Sequence, residues 1–416
     1  MATFKESMDI GVIHIGNMSQ RKDGSIYSLK NYALFLNELS ENIDHTKLFC
    51  GVCKEGDSGY DFSNEVKINK SIKSTISRGN TPNTPLALFF LNNYYLLIKL
   101  IYFCWPRSNY FIFLPSPIGI CGILILVIFR RKQTLGVYIG GNYSVEQKYE
   151  QRLGFLKKII KNITSSIIDP LVNYSIKKSD YVITPSYDYY ERFKDRKNIF
   201  LTPPLLNIDE TDLLNSVQIA NALGETDRFI TFCGELRHAK GIVDLLNAFI
   251  LCTKENSFQN CKLKIIGSGQ AMSELEDIVN ENKLSQRVIF CGQIKDKEQL
   301  KKELKNSTVF VLPSYSEGFP RVAYECFTLG IPTILTPIGG IPYLVKDSVH
   351  TIFVTPGDVL DISQKIQLLL NNNQLRVAIV ENAKNIMREI IFPRLQMEGS
   401  LAQMIVRKIT NLQLKK

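Results

Sequence analysis

Two glutamates eight positions apart, Glu317 and Glu325, lie in the run PSYSEGFPRVAYECFTLGIPTILT. Residues 308–312 are an apolar strand by pattern, and Pro320 has the fixed φ that favours the first position of a helix. The loop between them therefore leads into a helix N-terminus, where free backbone N–H groups and the positive dipole end favour a phosphate or an anionic leaving group. The residues predicted to line this anion site are Gly318, Phe319, Pro320 and Arg321.

Two cations, Arg237 and Lys240, form a second candidate group in the run GELRHAKG. An apolar strand over residues 229–233 precedes this run, and apolar residues at helical spacing over residues 242–251 follow it. Arginine can bind a diphosphate through its planar fork and lysine as a point charge, so the loop can stabilise a leaving nucleotide without a metal. Two exposed cations on a surface loop are the alternative interpretation.

The elements that must position these residues alternate between strands and helices. Strands are predicted at residues 262–266, 287–290, 308–312, 332–335 and 352–354. Such alternation implies a parallel sheet with helices on both faces. At the start of the chain, a strand over residues 10–15 leads into a loop with Gly16 and Gly24, and a helix is predicted over residues 27–39.

The run around Glu317 and Glu325 resembles the donor site of the family 4 glycosyltransferases, also called glycosyl transferases group 1, over residues 228–358. These are retaining enzymes of the GT-B fold that carry two glutamates at this spacing. The resemblance implies that Glu317 contacts the donor hexose and Glu325 the nucleotide ribose. It further implies that Gly16 faces the donor phosphates and that Ile294 belongs to the loop that holds the base.

The chain departs from this family at two places. Glu235 stands directly after the first glycine of GELRHAKG, where family members commonly carry an arginine, so Arg237 is expected to act from two residues later. The loop that begins Gly140-Gly141-Asn142 has no histidine, although related enzymes often place one there. General-base catalysis by histidine is therefore not expected.

As the resemblance implies, two Rossmann-like domains with doubly wound parallel sheets face each other across a cleft. The expected domains are an acceptor-side domain at 1–203, a nucleotide-sugar domain at 204–392 and a C-terminal helix at 393–416 that packs back on the first domain. The implied reaction is retaining transfer from a nucleotide-diphosphate sugar to a glycan or lipid-linked glycan, with Glu317 orienting the sugar. Two alternatives stay open: a non-catalytic nucleotide-sugar-binding scaffold and a sugar-nucleotide epimerase of the same fold.

No metal or other cofactor is expected, because no Asp-x-Asp cluster stands at a strand end. Nine cysteines, an odd number, indicate reduced thiols and a cytoplasmic setting. The net charge of +10 lies almost entirely in residues 1–200, where 26 Lys and Arg face 17 Asp and Glu. A basic domain suits an anionic membrane or a phosphate-bearing acceptor, and the absence of nucleic-acid-binding motifs argues against nucleic acid.

The most apolar stretch of the chain runs from Leu86 to Phe129 and is followed by three basic residues. Residues 111–129 carry no charge and meet the length of a membrane span. Pro115-Ser116-Pro117 splits them into a strand over residues 110–114 and a helix of about a dozen residues. Three interpretations therefore stay open: a membrane span, a buried strand and helix, and a helix docked on the cytoplasmic face of the inner membrane.

Overall fold

A computed structural model describes most of the 416-residue chain. The described residues are 8–14, 18–21, 23, 25–54, 65–78, 94–105, 109–114, 116–129, 134–140, 155–202, 208, 210–214, 228–255 and 258–413. Gly16 and Gly24, predicted to form the first loop, lie outside them.

The N-terminal half forms one large sheet. Its strands, as far as the structure describes them, are β1 Asp9–His14, β2 Met18–Gln20, β3 Ile26–Leu29, β4 His45–Lys54, β5 Glu65–Lys67, β6 Lys73–Arg78, β7 Asn109–Leu114, β8 Leu135–Ile139, β9 Tyr181–Thr184 and β10 Ile199–Leu201. The strand order is β10-β9-β8-β7-β1-β4-β2-β3-β5, with β6 also paired to β4. Its helices are α1 Lys30–Asn42, α2 Tyr94–Cys104, α3 Pro117–Phe129, α4 Phe155–Lys178 and α5 Tyr187–Phe193.

The C-terminal half forms a second, fully parallel sheet with the order β13-β12-β11-β14-β15-β16. Its described strands are β11 Arg228–Cys233, β12 Cys261–Ile266, β13 Val288–Gly292, β14 Val309–Leu312, β15 Thr333–Leu335 and β16 Ile352–Phe353. Its described helices are α6 Glu210–Leu214, α7 Ile242–Cys252, α8 Met272–Glu281, α9 Lys297–Lys305, α10 Arg321–Leu329, α11 Ile341–Leu344, α12 Val359–Asn371, α13 Asn373–Ile386 and α14 Phe392–Glu398, with a π-helical turn at Met387–Ile391.

Each sheet reverses its strand order at one point. In the N-terminal sheet β1 lies between β4 and β7, and in the C-terminal sheet β11 lies between β12 and β14. Helices pack on both faces of each sheet and bury apolar clusters there. The predicted pair of doubly wound, Rossmann-like domains is confirmed.

Two predictions about the N-terminal half need correction. Residues 26–29 form strand β3 and not the start of a helix, because they pair antiparallel with β2 and β5. The Ser, Thr, Asn and Pro residues clustered in 66–85 predict an exposed excursion, yet the described part of this range holds most of β5 and all of β6, and β6 pairs along its whole length with β4. These strands are polar, so their hydrophobic pattern is weak.

The end of the chain returns to the N-terminal half. Helix α15, Leu401–Gln413, packs against α1, and its buried residues Ala402, Met404, Ile405 and Ile409 join the N-terminal apolar cluster. The Ser400 hydroxyl also donates a hydrogen bond to Glu38 at 2.6 Å. The predicted C-terminal helix at 393–416 is divided in two, because Gly399, whose φ is +66°, ends α14 before α15 begins.

The apolar stretch before β8 folds as a strand and a short helix. Strand β7 and helix α3 flank Ser116, and α3 has 13 residues. Within the described part of the chain, no helix is both long enough and apolar enough to cross a bilayer.

Candidate active site

The candidate site lies where the C-terminal sheet reverses its strand order. From β11 the chain builds outward through β12 and β13, and then returns to place β14 on the other side of β11. Loops that leave the carboxyl ends of two such strands diverge and open a crevice between them. Here those loops are residues 234–241 and 313–320, and they touch where the Tyr315 N–H donates to the Ala239 carbonyl at 2.9 Å.

Lys240 and Glu317 meet in this crevice. The Lys240 Nζ lies 2.5 Å from Glu317 Oε1, and both side chains are mostly buried. The buried Ser314 hydroxyl donates to the same carboxylate oxygen at 3.1 Å. Thr336 in turn donates to the Ser314 carbonyl at 2.6 Å, which ties the loop to the end of β15. The structure thus brings the first predicted acid and one predicted cation into direct contact.

Two glycines let the neighbouring loops approach this pair. Gly241 has φ +67°, and a Cβ on it would lie 2.1 Å from the Pro313 carbonyl oxygen. Gly339 has φ +53°, and a Cβ on it would lie 1.7 Å from the Glu317 carbonyl oxygen. Both positions require glycine because L side chains rarely adopt this conformation and the space is already filled.

Arg237 lies on the same loop as Lys240 but has a different partner. Its Nε is 3.0 Å from Glu235 Oε2, so the residue that departs from the family pattern contacts the residue expected to compensate for it. The Glu235 side chain is exposed and Arg237 is half-buried. His238 Nε2 lies 3.0 Å from Glu274 Oε2.

A second set of contacts holds the loop that follows β14. The Tyr315 hydroxyl donates to Asp244 at 2.8 Å, which links the loop after β14 to helix α7. Burial raises the pKa of Asp244, although the hydrogen bond from Tyr315 and the nearby His238 oppose this shift. Charge at Asp244 is therefore costly, and the hydrogen bond from Tyr315 offsets part of that cost.

Helix α10 begins directly after the loop that carries Glu317. Pro320 is its N-cap with φ −68°, one residue before the first helical position where it was predicted, and Arg321 opens the helix with an exposed side chain. The first backbone N–H groups of a helix have no intrahelical acceptor, so this end can bind an anion. Glu325 is buried one turn further on, and its charge adds to burial in raising the pKa of Cys233 to about 12.

The N-terminal half faces this loop across a narrow cleft. A Cβ on Gly318 would lie 3.7 Å from the carbonyl oxygen of Gly140, at the carboxyl end of β8. Burial raises the pKa of Tyr138 in β8 to about 12, and the nearby charge of Arg321 offsets part of the shift. Residues from both halves therefore line the same space.

Ile294 lies apart from this group, after β13 at the other side of the sheet. It is half-buried and follows Gly292, whose carbonyl accepts a hydrogen bond from Gly267 at 2.8 Å. The predicted site residue Gly16 lies outside the described residues.

Sequence reasoning missed three residues of the site. Ser314 orients Glu317, and a serine three positions before a candidate glutamate is too common a signal to identify. Tyr187, at the start of α5, packs its ring 6.3 Å from that of Phe319 and accepts a hydrogen bond from Arg394. The contacts of Tyr187 with Phe319 and with Arg394 join residues that are far apart in the chain, so no local pattern indicates them. The third missed residue is Gly339. The TPIGG run of residues 336–340, a strand end followed by two glycines, could have indicated it.

Metal ligands are not clustered in this part of the molecule. Among the described residues, no three His, Cys, Asp or Glu side chains are grouped so that they could hold an ion.

Residues 217–386 match the family model of glycosyl transferases group 1. This segment is a group 1 glycosyltransferase domain. The match confirms the resemblance carried by Glu317 and Glu325, and the domain contains the whole Lys240–Glu317 crevice.

Curated relatives share this domain and less of the remaining chain. An enzyme of Campylobacter jejuni, named as an α-1,4-N-acetyl-D-galactosaminyltransferase acting on a diphospho-undecaprenol-linked saccharide, is 32% identical over 197 residues, 47% of this chain and 51% of its own length. A capsular polysaccharide biosynthesis glycosyltransferase of Staphylococcus aureus is 30% identical over 164 residues, 38% of this chain and 41% of its own. The chain thus spans about half or less of the length of these relatives.

Solved structures match the whole molecule at low identity. Sucrose-phosphate synthase of Thermosynechococcus elongatus superposes with a TM-score of 0.64 at 17% identity, over 96% of this chain and 100% of its own. HepE of Anabaena, solved in complex with UDP, gives 0.61 at 17% identity, over 97% and 100%. The N-terminal and C-terminal halves of the chain together therefore have the GT-B fold.

Proposed function

We propose that this protein is a retaining, metal-independent glycosyltransferase. It moves a sugar from a nucleoside diphosphate sugar to a hydroxyl of a glycan or lipid-linked glycan, in the synthesis of a bacterial surface polysaccharide. The observation that carries the proposal is the Lys240–Glu317 pair, which lies at the switch point of the C-terminal sheet, beside the N-terminus of α10 and across the cleft from Gly140.

The crevice offers positive charge where a leaving diphosphate would develop negative charge. Lys240 supplies an ammonium group, Arg237 a guanidinium group and α10 its free N–H groups. Such fixed donors stabilise the departing group more than the bound substrate, because the negative charge grows as the bond breaks. The bond between the anomeric carbon and the diphosphate oxygen breaks, and the acceptor oxygen forms the new bond on the same face. On that face the departing phosphate oxygen can take the acceptor's proton.

Glu317 is suited to hold the sugar in place. Its contacts with Lys240 and Ser314 both fall on Oε1, so Oε2 can accept hydrogen bonds from sugar hydroxyls. A carboxylate held by two donors keeps a fixed orientation, which favours positioning of the donor. Glu325 is the candidate for the ribose and Ile294 for the base, both as the family resemblance implies.

The comparisons support a polymer or lipid carrier as acceptor. The C. jejuni relative is named for a substrate linked to diphospho-undecaprenol, and the S. aureus relative for capsular polysaccharide synthesis. The UDP bound to the Anabaena protein supports a nucleoside diphosphate donor. On this basis the enzyme acts from the cytoplasm on an acceptor at the inner membrane.

A non-catalytic binder of nucleotide sugars is the second candidate, and the Glu235–Arg237 contact favours it. A carboxylate beside Arg237 lowers the positive charge available to a diphosphate. The purified protein would be incubated with UDP-, GDP- and ADP-sugars and with extracted lipid-linked saccharides, and products identified by mass spectrometry. A glycosylated acceptor supports transfer. Free sugar and nucleotide released without acceptor indicate epimerase-type chemistry, and binding with neither product indicates a binder.

A further inference from the structure

Three helices cover one face of the N-terminal sheet, and we call α2, α3 and α4 the outer helical layer. Helix α3 packs between the other two. The inner side of the layer is buried in one apolar cluster with the strands of the sheet. The buried residues of the layer are Leu100, Phe103, Cys104, Ile118, Ile120, Ile123, Leu126, Ile168, Val172 and Ile176.

The opposite side of α2 is also apolar. Ile98, Ile101, Tyr102 and Trp105 follow one another at intervals of three, one and three residues, and all four are exposed. Residues at this spacing form one stripe along a helix. Tyr102 is 76% exposed and Trp105 is 69% exposed, so the stripe does not pack against the described protein.

Helix α3 presents a matching stripe beside it. Leu124, Ile128 and Phe129 are exposed, and Ile128 is 74% exposed. The rings of Phe129 and Trp105 lie 5.9 Å apart, so the two stripes join into one surface. Apolar patches of this kind on a protein surface mark interaction sites.

The sequence of α2, α3 and the residues beside them favours an anionic partner. Residues 94–133 contain five Lys and Arg and no Asp or Glu. Two copies of the chain facing each other here would bring like charges together, which opposes self-association. An anionic lipid surface offers apolar chains to the stripes and negative headgroups to the basic residues.

We propose that the outer helical layer docks on a bilayer that contains anionic phospholipid. Trp105, the only tryptophan of the chain, is exposed at the end of the α2 stripe, and an indole ring prefers the boundary between apolar chains and water. The layer lies on the surface of the bilayer and does not cross it, in agreement with the 13-residue length of α3.

The topology also sets the orientation. Helices α2 and α3 end just before β7 and β8 begin, so Trp105 and Phe129 lie at the amino ends of the strands. The cleft lies at the carboxyl ends, where Gly140 follows β8. Docking through the stripes therefore leaves the cleft uncovered.

The test uses the full chain with vesicles of pure phosphatidylcholine or of phosphatidylcholine mixed with phosphatidylglycerol, without any nucleotide sugar. We expect the bound fraction in flotation to rise with phosphatidylglycerol content and to fall with salt. The fluorescence of Trp105 should shift to shorter wavelength and be quenched by brominated acyl chains. Because no sugar transfer is involved, this result is independent of the proposed activity.

The decisive variant is Tyr102→Glu combined with Ile128→Glu. Both side chains are exposed, so the fold should persist, which a melting curve checks. Vesicle binding should fall about tenfold or more. The matched control is Leu360→Glu, an exposed apolar residue of α12 in the other half, which should bind as the unaltered protein does.

The proposal is overturned by any of three results. The unaltered protein could stay unbound at every phosphatidylglycerol content, or the double variant could bind equally well. Alternatively, the unaltered protein could be a dimer that the double variant converts to a monomer, which would make the surface an interface between copies.

Discussion

The Lys240 ammonium group lies 2.5 Å from the Glu317 carboxylate, and the two residues come from loops that follow neighbouring strands, β11 and β14. The pair spans the point where the sheet reverses its strand order. Each charge is therefore compensated before a ligand binds, and a diphosphate must share Lys240 with Glu317.

Replacing Glu317 with alanine should abolish transfer while the fold persists. The loss removes the group that orients the sugar, and we expect kcat/KM to fall about 1,000-fold. Product formation by mass spectrometry measures the activity, and circular dichroism with a melting curve measures the fold. Full turnover by the folded variant would refute the role of Glu317.

Lys240→Met should weaken the binding of nucleoside diphosphates by about 10- to 100-fold, because the site loses a charge-assisted contact to phosphate. Binding of the corresponding nucleoside, which has no phosphate, should change little. Calorimetric titration with UDP or GDP and with uridine or guanosine makes the comparison. Equal losses for the nucleotide and the nucleoside would place Lys240 away from the phosphates.

Glu235→Gln should tighten nucleoside diphosphate binding by about three- to tenfold, because Arg237 loses a carboxylate 3.0 Å away and becomes available to phosphate. The matched control is Glu276→Gln, an exposed acid on α8. Titration at low and high salt should show the difference shrinking as salt screens it. Unchanged or weaker binding would mean that Arg237 does not contact the diphosphate.

Gly339→Ala should destabilise the protein more than Gly292→Ala does. Both glycines have positive φ, but nothing lies within 4 Å of a Cβ on Gly292, whereas a Cβ on Gly339 meets the Glu317 carbonyl. We expect a loss of about 1 kcal/mol in the free energy of unfolding at Gly292 and about 3 kcal/mol or more at Gly339. Urea unfolding measures both, and equal losses would contradict the close contact.

Stability should fall as pH rises above 9, partly because of Cys233. Burial raises its folded pKa from 9.0 to about 12, so between these values the unfolded thiol loses a proton that the folded thiol keeps. The contribution of the protonated Cys233 thiol to the free energy of unfolding is complete below pH 9. It is lost between pH 9 and pH 12, at about 1.4 kcal/mol per pH unit. Unfolding free energies at several pH values should show a smaller slope for Cys233→Val than for the unaltered protein. Identical slopes would show that Cys233 does not contribute.

The strands of the C-terminal sheet could be predicted to within two residues at each end. Parallel strands are buried on both faces, so they read as apolar runs, and β11 and β14 are examples. Strand β6 was missed because only one of its six residues is apolar, and β3 was missed because it is only four residues long and its pairing is set by distant partners.

The residue types of the site were also predictable, but their partners were not. Glu317 and Lys240 are marked by glycine-containing loops between a strand and a helix, a local signal. Their contact joins residues 77 positions apart, and the Tyr187–Phe319 contact joins the two halves of the molecule. Such relationships depend on strand order, which local pattern does not determine.

The return of α15 to the N-terminal half means that the chain connects the two halves twice. The chain passes between them once after β10 and again at Gly399, and Gln396 donates a hydrogen bond at 3.0 Å to Glu210, so the two passages are neighbours. Two domains that are joined by adjacent chain segments can rotate about those segments as a hinge. Rotation about this hinge would open the cleft on the side away from the two connections, where substrate would enter and product leave. The side next to the connections would stay closed.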